Sequence, residues 1–188
     1  MSQESALLPA AVSCYLNASN PPGDAHHPTT GSEGGLTDAT DLDAIDDADL
    51  NRVRRHVRLA STRSAGQCLV DVSSGPSGTE IVVVNDDMPL LVEAVLTVVE
   101  AHGLTVSRID HPVMAVARDE AGTLSDIGAG PDRTTESWIY VVAMSAKGEV
   151  DTEALRTELV DVIARVADVD RDAVDMRGRL STCGADCA

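Results

Sequence analysis

The amino-acid sequence predicts an α+β domain in which two helices cover one face of a four-stranded antiparallel sheet. From residue 67 onward, apolar runs typical of strands alternate with amphipathic runs typical of helices, in the order ββαββα. Residues 81–84 are an uninterrupted β-branched run, which is typical of a central strand. Residues 91–102 and 152–167 carry apolar side chains at helical spacing. Two helices laid on one such sheet form a two-layer sandwich.

The strand order follows from the turns and connections. Residues 67–73 and 79–85 are joined by a tight Gly-Pro-Ser-Gly turn, so they pair as a hairpin. The right-handed crossover rule places the later strands, 104–111 and 137–145, beside the second strand. The predicted spatial order is 67–73, 79–85, 137–145, 104–111. This is a ferredoxin-like sheet whose usual last strand is supplied in advance by residues 67–73.

Local signals place the ends of the first of these helices. Asp86 and Asp87 precede it, and an acidic side chain at a helix start accepts backbone N–H bonds and suits the helix dipole. Pro89 is tolerated in a first turn, and Gly103 suits the position just after the last turn. His102 is interpreted as a helix-end residue rather than a catalytic or metal-binding one.

Three further segments flank the predicted domain 67–167. Residues 1–45 are expected to form a flexible acidic arm, because the first 51 residues contain nine acidic side chains and no Lys or Arg. An alternative stays open for its start, where apolar side chains could form one face of a docked helix: Leu7, Leu8, Val12 and Leu16. Residues 46–63 are predicted to be helical. Residues 168–188 form a charged tail without periodicity.

The polar face of the helix 46–63 carries several basic side chains, among them Arg52, Arg55, His56 and Arg63. One interpretation is a patch that binds an acid or a phosphate. The favoured interpretation is a solvated face that pairs with the acidic arm before it. In the tail, Cys183 and Cys187 have a spacing that a metal could use on a helix. Without a second ligand pair, no metal site is predicted.

Composition and charge exclude several classes of partner. The formal net charge is −17, which disfavours binding to nucleic-acid backbones. Aromatic residues are 2% of the chain, so surfaces for base stacking are nearly absent. No apolar run approaches the roughly 20 residues that cross a bilayer, so no membrane partner is expected. The four cysteines show no disulfide framework, which favours a cytoplasmic location.

Part of the predicted domain resembles a known family. The quoted segments are 81–92 (Ile-Val-Val-Val-Asn-Asp-Asp-Met-Pro-Leu-Leu-Val), 102–106 (His-Gly-Leu-Thr-Val), 111–113 (His-Pro-Val) and 136–141 (Glu-Ser-Trp-Ile-Tyr-Val). In composition and order they resemble the N-terminal ACT-like domain of large bacterial NAD-specific glutamate dehydrogenases. The resemblance extends over roughly residues 67–167.

The resemblance implies a cytosolic, oligomeric enzyme that is several times longer than this chain. Such enzymes convert L-glutamate to 2-oxoglutarate and ammonia and reduce NAD. Their catalytic machinery lies in a C-terminal region, after several ACT-like domains. The implied partners are therefore the other domains or subunits of a glutamate dehydrogenase, or a second copy of the chain.

The sequence itself predicts that this chain alone is inactive and binds no cofactor. A dinucleotide site needs a Gly-rich turn between a strand and a helix. Gly128 and Gly130 are followed by Pro131 and by no helical pattern, and the turn at 85–89 has no glycine. Lys147, the only lysine, lies in a turn and is expected on the surface. No catalytic residue is assigned.

The strongest candidate site is the loop that follows the second strand, formed by Asn85, Asp86, Asp87, Met88, Pro89 and Leu90. In amino-acid-binding ACT domains, which the resemblance brings in, the corresponding loop holds the ligand and has Gly after the Pro, where this chain has Leu90. Three interpretations stay open: the two aspartates cap the helix, the loop binds a small amino acid as an effector, or it contacts another domain. The unpaired edge around 104–118 is the predicted docking edge.

Overall fold

The computed structural model describes residues 3–19, 46–146 and 148–185. Within them lie four helices and six strands. In chain order the elements are α1 (Gln3–Ser19), α2 (Asp47–Leu59), β1 (Leu69–Gly75), β2 (Gly78–Asp86), α3 (Leu91–Ala101), β3 (Leu104–Asp110), β4 (Val113–Arg118), β5 (Leu124–Ile127), β6 (Thr134–Ser145) and α4 (Thr152–Ala185).

The strands form one sheet in which the observed pairings are antiparallel, built around the long strand β6. One edge of β6 pairs with β2, which in turn pairs with β1. The other edge is shared: β6 residues 140–145 pair with β3, and residues 134–137 pair with β4. Strand β5 extends the sheet beyond β4. A 12-residue strand is long enough to hold two shorter neighbours end to end.

The predicted four-stranded sheet was therefore too small. Residues 113–118, expected only as an extended continuation, are strand β4, because the break at His111 and Pro112 lets the chain turn and pair with a different part of β6. Strand β5 was not predicted. It has four residues, and only its first and last side chains, Leu124 and Ile127, are buried, so it carries too little alternation to be recognised.

One face of the sheet packs against α3 and α4, as expected. Alternate β6 residues point to this face and meet the inner sides of the two helices. The buried side chains of this layer are Ile81, Val83, Leu91, Val95, Val98, Val99, Leu104, Ile139, Val141, Ala143, Leu155, Leu159 and Ile163. They are aliphatic, as the near absence of aromatic residues requires.

The opposite face is not open, which corrects the prediction of helices on one face alone. Helices α1 and α2 cover it and enclose a second apolar layer that includes Val53, Val57, Met114, Leu124 and Trp138. The strands carry apolar side chains on both faces, and an uncovered apolar face would stay in contact with water. The continuous β-branched run of β2 already indicated burial on both sides.

Both ends of the described chain are more helical than expected. Within the predicted arm 1–45, residues 3–19 form α1, so the docked-helix alternative applies to that part, and residues 20–45 lie outside the described residues. Helix α4 does not end near residue 167 but continues to Ala185. Burial stops before the helix does, since Val169 is 64% exposed. A helix satisfies its own backbone hydrogen bonds, so it can extend past the surface that it packs on.

The second apolar layer contains one fully buried histidine, His56 of α2. Its ring stacks on Trp138, with ring centroids 5.6 Å apart. Nε2 donates to the carbonyl oxygen of Ile139 (3.1 Å), and Nδ1 accepts from the hydroxyl of Tyr15 on α1. Burial lowers the pKa of His56 to about 3, so the imidazole is neutral at physiological pH.

We predict that His56 makes the fold sensitive to mild acid. Its pKa is about 3 in the folded chain and near 6.5 when unfolded, so its contribution is complete above pH 6.5 and is lost as pH falls toward 3. The free energy of unfolding should drop by roughly 2 kcal/mol between pH 7 and pH 5, measured by urea titration. His56→Gln should flatten this decline and His102→Gln should keep it. An equal decline in His56→Gln would show that another group is responsible.

Candidate functional site

The candidate loop between β2 and α3 uses its polar groups inside the fold. Asn85 is buried, and its Nδ2 donates to the carbonyl oxygen of Asp86 (2.9 Å) and lies 3.7 Å from the sulfur of Met88. Asp86 Oδ1 accepts from Arg63 Nη2 (2.8 Å). The backbone N–H of Asp87 donates to the carbonyl oxygen of Thr135 (3.1 Å). The loop is therefore fixed to neighbouring elements at several points.

The interpretation that Asp86 and Asp87 cap the helix was wrong. Helix α3 begins at Leu91, and the capping position is occupied by Leu90, whose side chain makes no capping hydrogen bond. Asp86 is instead the last residue of β2. The loop residues Asp87, Met88, Pro89 and Leu90 separate the strand from the helix, so neither aspartate is close enough in sequence to cap it.

Asp87 ends a short chain of hydrogen bonds with Ser137 and His111. Nε2 of His111 donates to Ser137 Oγ (2.9 Å), and the hydroxyl of Ser137 donates to Asp87 Oδ1 (2.6 Å). Partial burial lowers the pKa of His111, against the opposing charges of Asp87 and Glu93. In nucleophilic triads the histidine lies between serine and acid, whereas here the serine lies between them and is fully buried. The arrangement positions the loop on β6.

The most strongly charged interior cluster lies beside this loop and centres on Glu136 of β6. Oε1 accepts from Arg63 Nη1 and from Arg118 Nε, both at 2.8 Å. Oε2 accepts from Arg118 Nη2 (3.0 Å) and from Trp138 Nε1 (3.1 Å). Glu136 is 0% exposed and Arg63 2% exposed. We call these four residues the Glu136 cluster.

The electrostatics of the Glu136 cluster keep the carboxylate charged. Burial by itself would raise the pKa of Glu136, but hydrogen bonds from Arg118 and Trp138 and the charges of Arg118 and Arg63 hold it below its usual value. The arginines are also satisfied elsewhere. Arg63 Nε donates to the carbonyl oxygen of Gln67 (2.6 Å), and Arg118 Nη1 donates to the carbonyl oxygen of Ala60 (2.8 Å). The cluster thus joins α2, β4 and β6.

Leu90 has an unusual backbone conformation. Its φ is +65°, in the left-handed region that favours glycine. A leucine there places Cβ close to its own carbonyl, which costs roughly 1–2 kcal/mol. This is the position at which the resemblance expects Gly, a residue that adopts this φ without strain. The Leu90 side chain is 62% exposed.

A cleft of about 280 Å³ lies between the candidate loop and α4. The loop contributes Asn85, Asp86, Asp87 and Met88, and α4 contributes Ala167, Asp170 and Arg171, with Gly66 at one side. Arg171 forms an ion pair with Asp168 (2.8 Å), and both side chains are largely exposed. Carboxylates lie on both walls, since α4 also contributes Asp170, and the guanidinium of Arg171 supplies the positive charge that a zwitterion would need for its carboxylate. The structure thus brings five polar side chains to one cleft: Asn85, Asp86 and Asp87 of the predicted site, and Asp170 and Arg171 of α4.

The basic face of α2 is mostly engaged with acidic side chains. Arg52 pairs with Asp110 and lies over the ring of Tyr140, 5.1 Å from its centroid. Arg55 pairs with Glu80 and with Asp71. The predicted solvated face describes only the outer residues, such as Arg58, whose side chain is 71% exposed. Because Arg52 and Arg55 already have carboxylate partners, a phosphate-binding patch is not favoured.

The remaining candidates carry little chemistry. Among the described residues no group of three or more His, Cys, Asp or Glu side chains could hold a metal ion. His102 Nε2 pairs with Glu158 of α4 (2.8 Å). Lys147, Cys187 and the side chain of Cys183 lie outside the described residues. In the part of the chain that the structure describes, no helix is both long and apolar enough to cross a membrane.

Sequence reasoning missed the residues of the Glu136 cluster and Ser137. Arg63 was grouped with a solvated face, and Arg118 and Glu136 were not singled out. One signal was present, since Glu136 directly precedes the apolar run of β6 and Arg118 ends the apolar run of β4. A charge adjoining a buried strand requires a partner, but the sequence does not say which one.

We predict that neutralising Glu136 is strongly destabilising. Glu136→Gln removes the carboxylate that Arg118 pairs with and one of the two that Arg63 pairs with, since Arg63 keeps Asp86, and this should cost about 3–5 kcal/mol of unfolding free energy. Chemical denaturation monitored by Trp138 fluorescence measures this. Glu120→Gln, at an exposed site nearby, should change stability by less than about 0.5 kcal/mol. Equal effects of the two substitutions would contradict the assigned role of the cluster.

We predict that Leu90→Gly stabilises the chain by about 1 kcal/mol, because it relieves the left-handed backbone strain and removes an exposed side chain with little packing. Thermal unfolding is the measurement. Leu90→Ala keeps Cβ and therefore keeps the strain, so it should leave stability within about 0.5 kcal/mol of the parent. A glycine variant less stable than the parent would show that Leu90 contributes packing that outweighs the strain.

Comparison with known proteins identifies the family. Residues 36–159 match the family described as "Glutamate dehydrogenase, ACT1 domain". The NAD-specific glutamate dehydrogenase of Halomonas elongata is 30% identical over 106 residues, an alignment that covers 54% of this chain and 6% of that protein. The chain thus spans a small part of the length of this curated relative. The match contains the candidate loop and the Glu136 cluster, and the chain belongs to the glutamate dehydrogenase ACT1 domain family.

Proposed function

We propose that this region is a non-catalytic regulatory and assembly module of an NAD-specific glutamate dehydrogenase. The oxidation of L-glutamate to 2-oxoglutarate and ammonia, with reduction of NAD, would then take place in other domains or subunits. Family membership and the similarity to the Halomonas elongata enzyme support the regulatory assignment. The assembly role is our inference from the engagement of the loop.

The observation that carries the proposal is how the candidate loop is held. Asp86 is paired with Arg63, Asp87 accepts from Ser137, and Asn85 donates within the loop. A loop that recognises a ligand keeps some polar groups available for it, whereas these groups are largely used to join β2, β6 and the segment after α2. A loop held in this way is better suited to fixing the relative positions of domains than to binding a small molecule.

The strand pairing excludes part of the predicted docking edge 104–118. Strand β4 has β6 on one side and β5 on the other, so residues 113–118 do not present an unpaired ladder. Among the described residues β3 is paired only with β6, and Ile109 on it is 38% exposed. We therefore propose that another domain or subunit, or a second copy, docks along β3. A bulge between Val106 and Arg108 limits how far a regular ladder could extend.

The alternative function is a stand-alone ACT domain that binds a small amino acid. The cleft of about 280 Å³ beside the loop favours it, because it has a volume suited to a small ligand and is lined both by the carboxylates of the loop and by the guanidinium of Arg171. The carboxylate of Asp87, already hydrogen-bonded to Ser137, would then have to accept from the ligand amino group as well. The pairing of Arg171 with exposed Asp168 is easily exchanged, since surface ion pairs contribute little.

The cofactor and location remain proposals. We propose that NAD binds to the catalytic part of the family and not to this region. The net charge of −17 supports the absence of a nucleic-acid partner. A cytoplasmic location remains a prediction from cysteine use.

Three measurements on the purified chain distinguish the candidates. With L-glutamate and NAD we expect no NADH formation, and calorimetric titration with a panel of L-amino acids should give no binding heat. When a partner glutamate dehydrogenase chain is added, the backbone amides of 104–110 should exchange more slowly with deuterium.

Binding heat that disappears in Arg171→Met would support the amino-acid alternative, with exposed Arg156→Met as control. Unchanged exchange at 104–110 would contradict docking, and NADH formation would contradict the non-catalytic role.

A further inference from the structure

Helix α1 lies outside the residues that match the family. The family match begins at residue 36, and α1 ends at Ser19. Nevertheless α1 packs against α2 and β5 and closes the second apolar layer. The surface beneath it therefore belongs to the family domain, while its cover comes from a separate segment of the chain.

The covered surface is a groove with apolar walls. Its floor includes Trp138 and Met114 of the sheet, and its walls include Val57 of α2 and Leu124 and Ile127 of β5. Into it α1 inserts buried side chains that recur at helical spacing: Leu7, Leu8, Ala11, Val12 and Tyr15. An apolar groove is a common receptor for the apolar face of a helix.

Helix α1 is poorly suited to be a helix on its own. Pro9 lies in its interior, where it has no N–H to donate and disfavours the preceding turn. The helix has 17 residues, and most of the stability of a helix in a protein comes from tertiary packing rather than from its own propensity. Its last turn carries no basic residue, which would otherwise favour the helix dipole. The helical state of α1 therefore depends on burial in the groove.

One buried polar contact marks the docked state. The hydroxyl of Tyr15 donates to Nδ1 of His56, which stacks on Trp138. The outer contact between Glu4 and Arg58, 3.6 Å, is exposed and weak. Because Trp138 is the only tryptophan of the chain, its fluorescence reports directly on whether Tyr15 and His56 remain in place.

We propose that the groove between α2 and β4–β5 is a docking site for the apolar face of a helix, and that α1 is its occupant, folding as it docks and leaving as a unit. Release of α1 thereby exposes a helix-binding surface without unfolding the sheet. The site accepts aliphatic side chains at the positions that Leu7, Leu8, Ala11 and Val12 occupy. It accepts a hydroxyl donor at the position of Tyr15. The α1 sequence of a second copy satisfies this pattern as well as the one in cis. This inference does not depend on the proposed function.

The first test is native-state hydrogen exchange on the full chain. Amides of 3–19 should exchange at least about tenfold faster than those of β2 and β6, since local opening requires less free energy than global unfolding. Pro9→Ala should slow the exchange of α1 by about tenfold or more, because it restores an interior helix hydrogen bond, and should leave β6 unchanged. Pro76→Ala, in the β1–β2 turn, is the control. Exchange of α1 and β6 at one common rate would overturn the proposal.

The second test supplies the helix in trans. In full-length Val12→Asp, a buried charge should expel α1 while the far-ultraviolet spectrum keeps its strand signal, and a synthetic peptide of residues 3–19 should bind with a saturable change in Trp138 fluorescence. The parent chain, with its groove filled, should bind at least about tenfold more weakly. Ala6→Asp, on the exposed face, should behave as the parent. A folded Val12→Asp chain that does not bind the peptide, or one that fails to fold, would contradict the proposal, since α1 would then be no separable unit.

Discussion

The ion pairing of Glu136 with Arg63 and Arg118 is the constraint around which the rest of the structure is arranged. A carboxylate with no exposed surface is tolerated only when charged donors surround it, and both arginines come from other parts of the chain. Arg63 follows α2 and Arg118 ends β4, so the cluster fixes the positions of a helix and a strand relative to β6. Trp138 completes it from the same strand.

The Glu136 cluster and its neighbour Ser137 also hold the candidate loop in position. Arg63 also binds Asp86, and Ser137, next to Glu136 in β6, binds Asp87. The loop that connects β2 to α3 is therefore positioned by two consecutive residues of one strand. The position of the loop is therefore coupled to the position of β6.

The alternation of β6 supplies both apolar layers. Ile139 and Val141 face α3 and α4, while Trp138 and Tyr140 face the side of α1 and α2. The two layers differ in character, since the first is aliphatic and, except for Ile163 of α4, its buried side chains lie within the family match. The second contains His56, Tyr15 and Trp138 and depends on a helix from outside the family match, which makes it the less uniform half of the core.

The sequence by itself determined the four longest strands and the start of both helices after residue 67, because runs such as 81–84 and 137–145 report burial through local composition and period. It did not predict β5 or the full length of α4. It also indicated the loop 85–90 and the family. Tertiary structure alone decided how charges pair, since Arg63 and Glu136 are 73 residues apart and no local pattern links them. It likewise decided that Leu90 is left-handed and that α1 covers the second face. Those features depend on which distant surfaces meet, and periodicity along the chain carries no information about that.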